Sequence, residues 1–186
     1  MPNYTGPSRV QIQIAIDLDR IPGSGSVSFA SGADTKISTF VAREFLVQTL
    51  FYGGETCRVL DASDKTVQYV DCKQGADGVE IAVPWSALGL AGPPKEPIRL
   101  TTAVFRGTIG NQVLEVGNGA GSDALDVITN YGNPGSAPGT AAELADGVVD
   151  YYLDVWFEPD GDVMAPILID RFNTNPLPQT SGQWVM

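Results

Sequence analysis

Apolar and polar residues alternate from position 10 to 18 (Val-Gln-Ile-Gln-Ile-Ala-Ile-Asp-Leu), the two-residue period of a half-buried strand. A loop by composition follows at 19–25, rich in Pro and Gly. Residues 43–52 form a second predicted strand, with Phe45, Val47, Thr49 and Phe51 on one face. Segments 56–62 and 67–73 flank the polar loop 63–66 and read as a hairpin. Further strands are predicted at 78–84, closed by Pro84, and at 98–105, with one helical turn over 85–90 between them. Residues 107–147 are mostly turn chemistry, long enough for a functional loop. Residues 148–157 alternate again, with Val149, Tyr151, Leu153 and Val155 facing one way and Val148, Asp150, Tyr152, Asp154 and Trp156 the other. A last apolar strand lies at 165–170. Seven or eight strands separated by turn signals predict an all-β fold, an antiparallel β-sandwich of jelly-roll or immunoglobulin-like type with long acidic loops.

The hairpin carries both cysteines. With Asp64 and Lys65 at its tip, facing residues have numbers summing to 129, which sets Cys57 opposite Cys72 and Arg58 opposite Asp71. Facing Cβ atoms about 4.5–5.5 Å apart can be joined with modest adjustment. A Cys57–Cys72 disulfide and an oxidising compartment are therefore expected, against the alternative of two free thiols.

Charge adds a second pattern. Between Gly107 and Asp170 there is no Lys or Arg, yet this stretch holds half of the chain's 22 acidic residues. Crowded carboxylates raise one another's pKa values or attract counter-ions. Two readings follow: a solvated acidic face, or a calcium site, since calcium takes carboxylate and carbonyl oxygens together. Asp123, Asp126, Asp146 and Asp150 are the expected calcium ligands. Asp17 and Asp19 are a lesser pair, because Asp-x-Asp before a Pro-Gly turn also works as plain turn capping.

The net charge of −11 excludes the phosphate neutralisation on which nucleic-acid binding depends. No apolar run approaches the ~20 residues of a spanning helix, so membrane insertion is not expected. The chain has no histidine. That removes Ser-His-Asp and Cys-His nucleophile pairs, imidazole acid–base catalysis and mixed Cys/His zinc sites. No catalytic residue is assigned, and a non-catalytic role is expected. Met1 to Thr5 lack the basic start and apolar core of a signal peptide, and the chain is read as an excerpt of something longer.

Three runs carry a resemblance: Ile16-Asp17-Leu18-Asp19-Arg20-Ile21-Pro22-Gly23-Ser24-Gly25, the hairpin start Arg58-Val59-Leu60-Asp61-Ala62-Ser63, and Val79-Glu80-Ile81-Ala82-Val83-Pro84-Trp85-Ser86-Ala87-Leu88-Gly89-Leu90. They resemble the C-terminal binding module of glucodextranase and related amylolytic enzymes, which belongs with the DOMON-like and family 9 carbohydrate-binding modules. Asp123-Ala124-Leu125-Asp126 and the run from Val148 to Phe157 look like the end of the same module in multidomain bacterial surface proteins. The likeness spans about residues 9 to 162. Pro166-Ile167-Leu168-Ile169-Asp170 and Gly182-Gln183-Trp184-Val185-Met186 look like the opening of a lamin-tail domain. The division expected is therefore a sandwich over 1–164, then a linker or the first strand of a following domain over 165–186.

The resemblance implies a calcium-stabilised, secreted or cell-surface accessory module that binds a polysaccharide or surface glycan and is covalently joined to neighbouring domains. Trp156, on the face with Tyr152 and Asp154, combines an aromatic platform with carboxylate acceptors, though a Trp at a strand end also caps cores. Trp85 reads either as a structural plug or as a platform, and Tyr131 is a third platform. The alternative function is a structural or adhesive spacer with no sugar ligand.

Overall fold

The computed structural model describes residues 9–51, 55–74, 79–107, 112–114, 123–128, 143–160 and 167–169. Among these residues twelve strands form: β1 Arg9–Asp17, β2 Lys36–Ile37, β3 Phe45–Phe51, β4 Glu55–Asp61, β5 Thr66–Gln74, β6 Val79–Ala82, β7 Ile98–Gly107, β8 Val113–Leu114, β9 Ala124–Val127, β10 Val148–Val149, β11 Tyr152–Val155 and β12 Ile167–Ile169. Among the described residues short 3-10 turns lie at Thr39–Val41, Trp85–Leu88 and Leu144–Asp146. The fold is all-β and sandwich-like, as expected. Among the described residues no helix is long and apolar enough to cross a membrane.

Ten strands make one antiparallel sheet in the order β12-β11-β7-β1-β3-β4-β5-β6. The outer edge of β7 is shared: Ile98, Arg99 and Leu100 pair with β11, Ala103 to Phe105 with β9, and Arg106 and Gly107 with β8. Thus two pieces of the stretch read as turn chemistry, β8 and β9, are strands on the sheet. β12 pairs with β11 at the far edge, so residues 167–169 extend this same sheet.

The sheet has a core on each face. On one, Ala15, Leu46, Leu60, Ala103, Phe105 and Tyr152 pack beneath Phe29, Ile37, Val41 and Val149. The cover comes from the long excursion between β1 and β3 together with β10, which pairs in parallel with β2. Phe29 meets Phe105 edge-on at 5.3 Å, a favoured aromatic geometry. On the other face Ile16, Val47, Cys57, Val59, Val70, Ile98 and Val155 pack against Ala87 and Leu88 of the 3-10 turn. That turn ends at Gly89 in the left-handed region (φ 71°), a conformation glycine adopts without Cβ strain.

Burial of β1 departs from its pattern. Its polar residues are covered as fully as Ala15 and Ile16: Gln11 is 3%, Gln13 0% and Asp17 1% exposed, whereas Val10 is 50% exposed. The reason lies in the excursion. Gln13 accepts a hydrogen bond from the Ala30 N–H (2.8 Å) and donates to the Ala30 carbonyl (3.2 Å), satisfying backbone that runs across the sheet without strand partners. Gln48, directly opposite Gln13, donates to Ser31 (2.7 Å) and accepts from Arg58 (2.8 Å). Arg43 is the largest fully buried side chain. Its guanidinium donates to the Ser28 and Asp61 carbonyls and to Asp64, tying the excursion to the hairpin tip; a buried cation is tolerable when its donors are paired in this way.

Two further expectations need correction. The continuous strand 148–157 is broken at Asp150 and Tyr151. There the Glu143 carboxylate accepts both backbone N–H groups, so a side chain replaces the sheet ladder. The hairpin register also differs. Asp61 closes the turn, its carbonyl accepting from Asp64 N–H and its carboxylate accepting from Ser63 and Lys65 N–H. A bulge then leaves Val67 unpaired, and the facing residues become Cys57 with Val70 and Arg58 with Tyr69. The Cys57–Cys72 disulfide forms nonetheless, across the diagonal, with Cα atoms 5.9 Å apart.

Candidate functional site

β1 and β3 lie side by side, with Ile16 opposite Phe45. The end of β1 therefore meets the residue that enters β3, and Asp17 and Asp19 come together with Glu44. Each offers one carboxylate oxygen, and the three oxygens lie within 4.8 Å of one another. Local hydrogen bonds aim them. Asp17 Oδ1 accepts from Arg20 N–H (2.6 Å), Asp19 accepts from Ile21 N–H (2.8 Å) and the Ser24 hydroxyl (2.7 Å), and Glu44 Oε2 accepts from Leu18 N–H (2.7 Å). Gly25 (φ 98°) lets the turn approach: a Cβ there would sit 2.5 Å from the Arg43 carbonyl oxygen and 2.9 Å from Glu44 Oε1.

Two oxygens of the cluster, Asp17 Oδ2 and Glu44 Oε1, are buried without a hydrogen-bond partner. Arg99 on β7, opposite Asp17 on β1 and Asp154 on β11, lies 3.7 Å from Asp17 Oδ2 and 3.3 Å from Asp154 Oδ1. The same guanidinium donates to the Phe40 carbonyl and stands 5.1 Å over the Tyr152 ring. Desolvation pushes the Asp17 carboxyl up to about 6, against the opposing pull of the Arg20 N–H and Arg99. Burial likewise raises Glu44, assisted by the charges of Asp19 and Asp17 and opposed by the Leu18 N–H.

The other acidic residues expected to bind calcium lie apart. Asp123 is buried and accepts from Asp34 N–H, Thr35 N–H and the Thr35 hydroxyl, anchoring a turn 88 residues away in sequence. Asp126 and Asp146 are exposed, and each accepts from a nearby backbone N–H. Asp150 is buried, its own N–H held by Glu143. Among the described residues, the three carboxylates that converge are Asp17, Asp19 and Glu44. Asp17 and Asp19 stand out in the sequence; Glu44 does not, because only the pairing of β1 with β3 brings it in.

The expected aromatic platforms are largely absorbed by the fold. Trp85 packs edge-on against Phe157 at 4.7 Å within the second core. Tyr152 is 1% exposed beneath Arg99, and Asp154 is buried beside the same guanidinium. Trp156 is partly exposed, and Tyr131 falls outside the described residues. A platform the pattern did not single out is Tyr69, 62% exposed. It lines a shallow depression of about 380 Å³ with Gln68, Asp71, Val83 and Pro84. The depression forms because β6 ends opposite Asp71, leaving the outer edge of β5 uncovered from Val70 back to the hairpin turn.

No family model, no curated protein and no solved structure matches this chain.

Proposed function

We propose that this chain is a non-catalytic β-sandwich module of an extracellular multidomain protein, acting as a structural or adhesive spacer. The observation that carries the reading is where the aromatic and acidic candidates go. Trp85 is packed against Phe157, and Tyr152 and Asp154 are spent on Arg99. A sugar platform needs an exposed ring beside free acceptors, and these groups hold the sheet together instead. The disulfide supports an oxidising compartment.

One observation favours a second reading, the glycan-binding accessory module that the resemblance to the glucodextranase C-terminal type implies. Tyr69 presents an exposed ring beside Gln68 and Asp71 in the β5 depression, a combination suited to stacking and hydrogen bonding to a pyranose. A glycan array probed with the folded protein, with calcium and with chelator, separates the two. The spacer reading expects no glycan class to be retained in either condition. Retention of one class, lost in Tyr69→Ala or Trp156→Ala, would replace it with the glycan-binding reading.

A further inference from the structure

We propose that Asp17, Asp19 and Glu44 form a divalent-cation site that closes the base of the 18–44 excursion. Its physical basis is an excess of buried acceptors. Asp17 is 1% exposed, yet its Oδ2 accepts no hydrogen bond, and Glu44 Oε1 is in the same condition. Leaving buried carboxylate oxygens unsatisfied is costly, and such atoms in a folded protein point to a missing partner. The nearby cations do not fill the role. Arg99 reaches Asp17 Oδ2 only at 3.7 Å while serving Asp154 and the Phe40 carbonyl. Arg20 has its guanidinium 3.7 Å from Glu96.

The arrangement is also already oriented for a metal. Backbone N–H groups and the Ser24 hydroxyl fix all three carboxylates from behind, and ionised carboxylate oxygens keep lone pairs for a second partner. The donor set is oxygen only, with no imidazole or thiolate, so it suits a hard cation. Calcium accepts irregular oxygen geometry and so suits three carboxylates placed by the protein better than the smaller, strictly octahedral magnesium. A bound ion would link the end of β1, the 19–25 turn and the entry to β3, the points at which the cover of the first core leaves and rejoins the sheet.

The test uses chelator-stripped protein, calcium chloride as ligand, titration calorimetry and thermal unfolding. Calcium at about 100 times its Kd should raise Tm by roughly 5–10 °C for a chain of this size. Asp19→Asn, at an exposed turn position, and Glu44→Gln should each weaken binding about tenfold or more, as loss of a charged ligand does. Asp126→Asn, outside the cluster, should bind as the wild type. Absence of calcium binding by the folded, stripped wild type would overturn the proposal. So would undiminished binding in Asp19→Asn, which keeps the test informative even where Glu44→Gln folds poorly.

Discussion

Replacing Gln13 by Leu tests the inverted burial of β1 directly. By alternation alone, Gln13 lies on the solvent side, and a surface Gln→Leu change moves stability by no more than about 0.5 kcal/mol. In the structure its amide is fully buried and satisfies the N–H and carbonyl of Ala30, itself 1% exposed, as well as Gln11 Oε1. Leu fills similar volume but orphans the Ala30 N–H, while the Ala30 carbonyl keeps the Ala33 N–H and loses one of its two donors. Taking about 1–3 kcal/mol for the orphaned N–H and about 0.5–1.5 kcal/mol for each of the two other hydrogen bonds lost, against about 1.5–3 kcal/mol returned by burying Leu, mid-range values leave a net destabilisation of about 2 kcal/mol. With a urea m-value of ~2 kcal/mol/M, the midpoint should fall by about 1 M at unchanged m. Val10→Thr, on the apolar side but half exposed, serves as the control and should shift the midpoint little. A loss below about 1 kcal/mol for Gln13→Leu would show that the excursion does not lie across this face, and the assignment of the first core would fail with it.

Removing the disulfide as Cys57→Ser with Cys72→Ser should cost about 3 kcal/mol, the loop-entropy value for a separation of 15 residues, and lower Tm by roughly 6–12 °C; reduction of the wild type should reproduce the shift. In chelator, the raised Asp17 pKa predicts stability that falls as pH rises from about 4 to about 6. The folded state there retains a proton that the unfolded state has released, so unfolding releases it and higher pH favours unfolding. Against Asp17→Asn, which cannot titrate, the wild type should lose about 3 kcal/mol of relative stability across that window; parallel urea midpoints from pH 3.5 to 7 would refute it. Gly25→Ala should destabilise markedly, since its φ of 98° and the Arg43 carbonyl 2.5 Å from the new Cβ leave no relaxed position, and thermal unfolding reads the effect.

What the sequence disclosed depended on the distance over which each feature is determined. β1, β3, the β4–β5 hairpin and the glycine-ended turn at Trp85–Leu88 were legible because alternation and turn residues act within a few positions. The disulfide was legible for the same reason: the register differs by two from the expected one, yet Cys72 stays on the face of Cys57, within diagonal reach. That the polar face of β1 is covered as well was not legible. Periodicity separates two faces, but the cover of this one comes from residues 26–44 and from β10, and Gln13 serves the crossing backbone as a hydrogen-bond partner. The acidic residues divide in the same way. Asp123 has the composition of a metal ligand, but its oxygens are claimed by Asp34 and Thr35, far upstream. Glu44 carries no motif, and becomes a neighbour of Asp17 only once Ile16 pairs with Phe45. A carboxylate's chemistry is set by the partners that reach its oxygens. Where paired strands lie far apart in the chain, as β1 does from β3 and β7 and Asp17 from Arg99, those partners are a property of topology and not of local pattern.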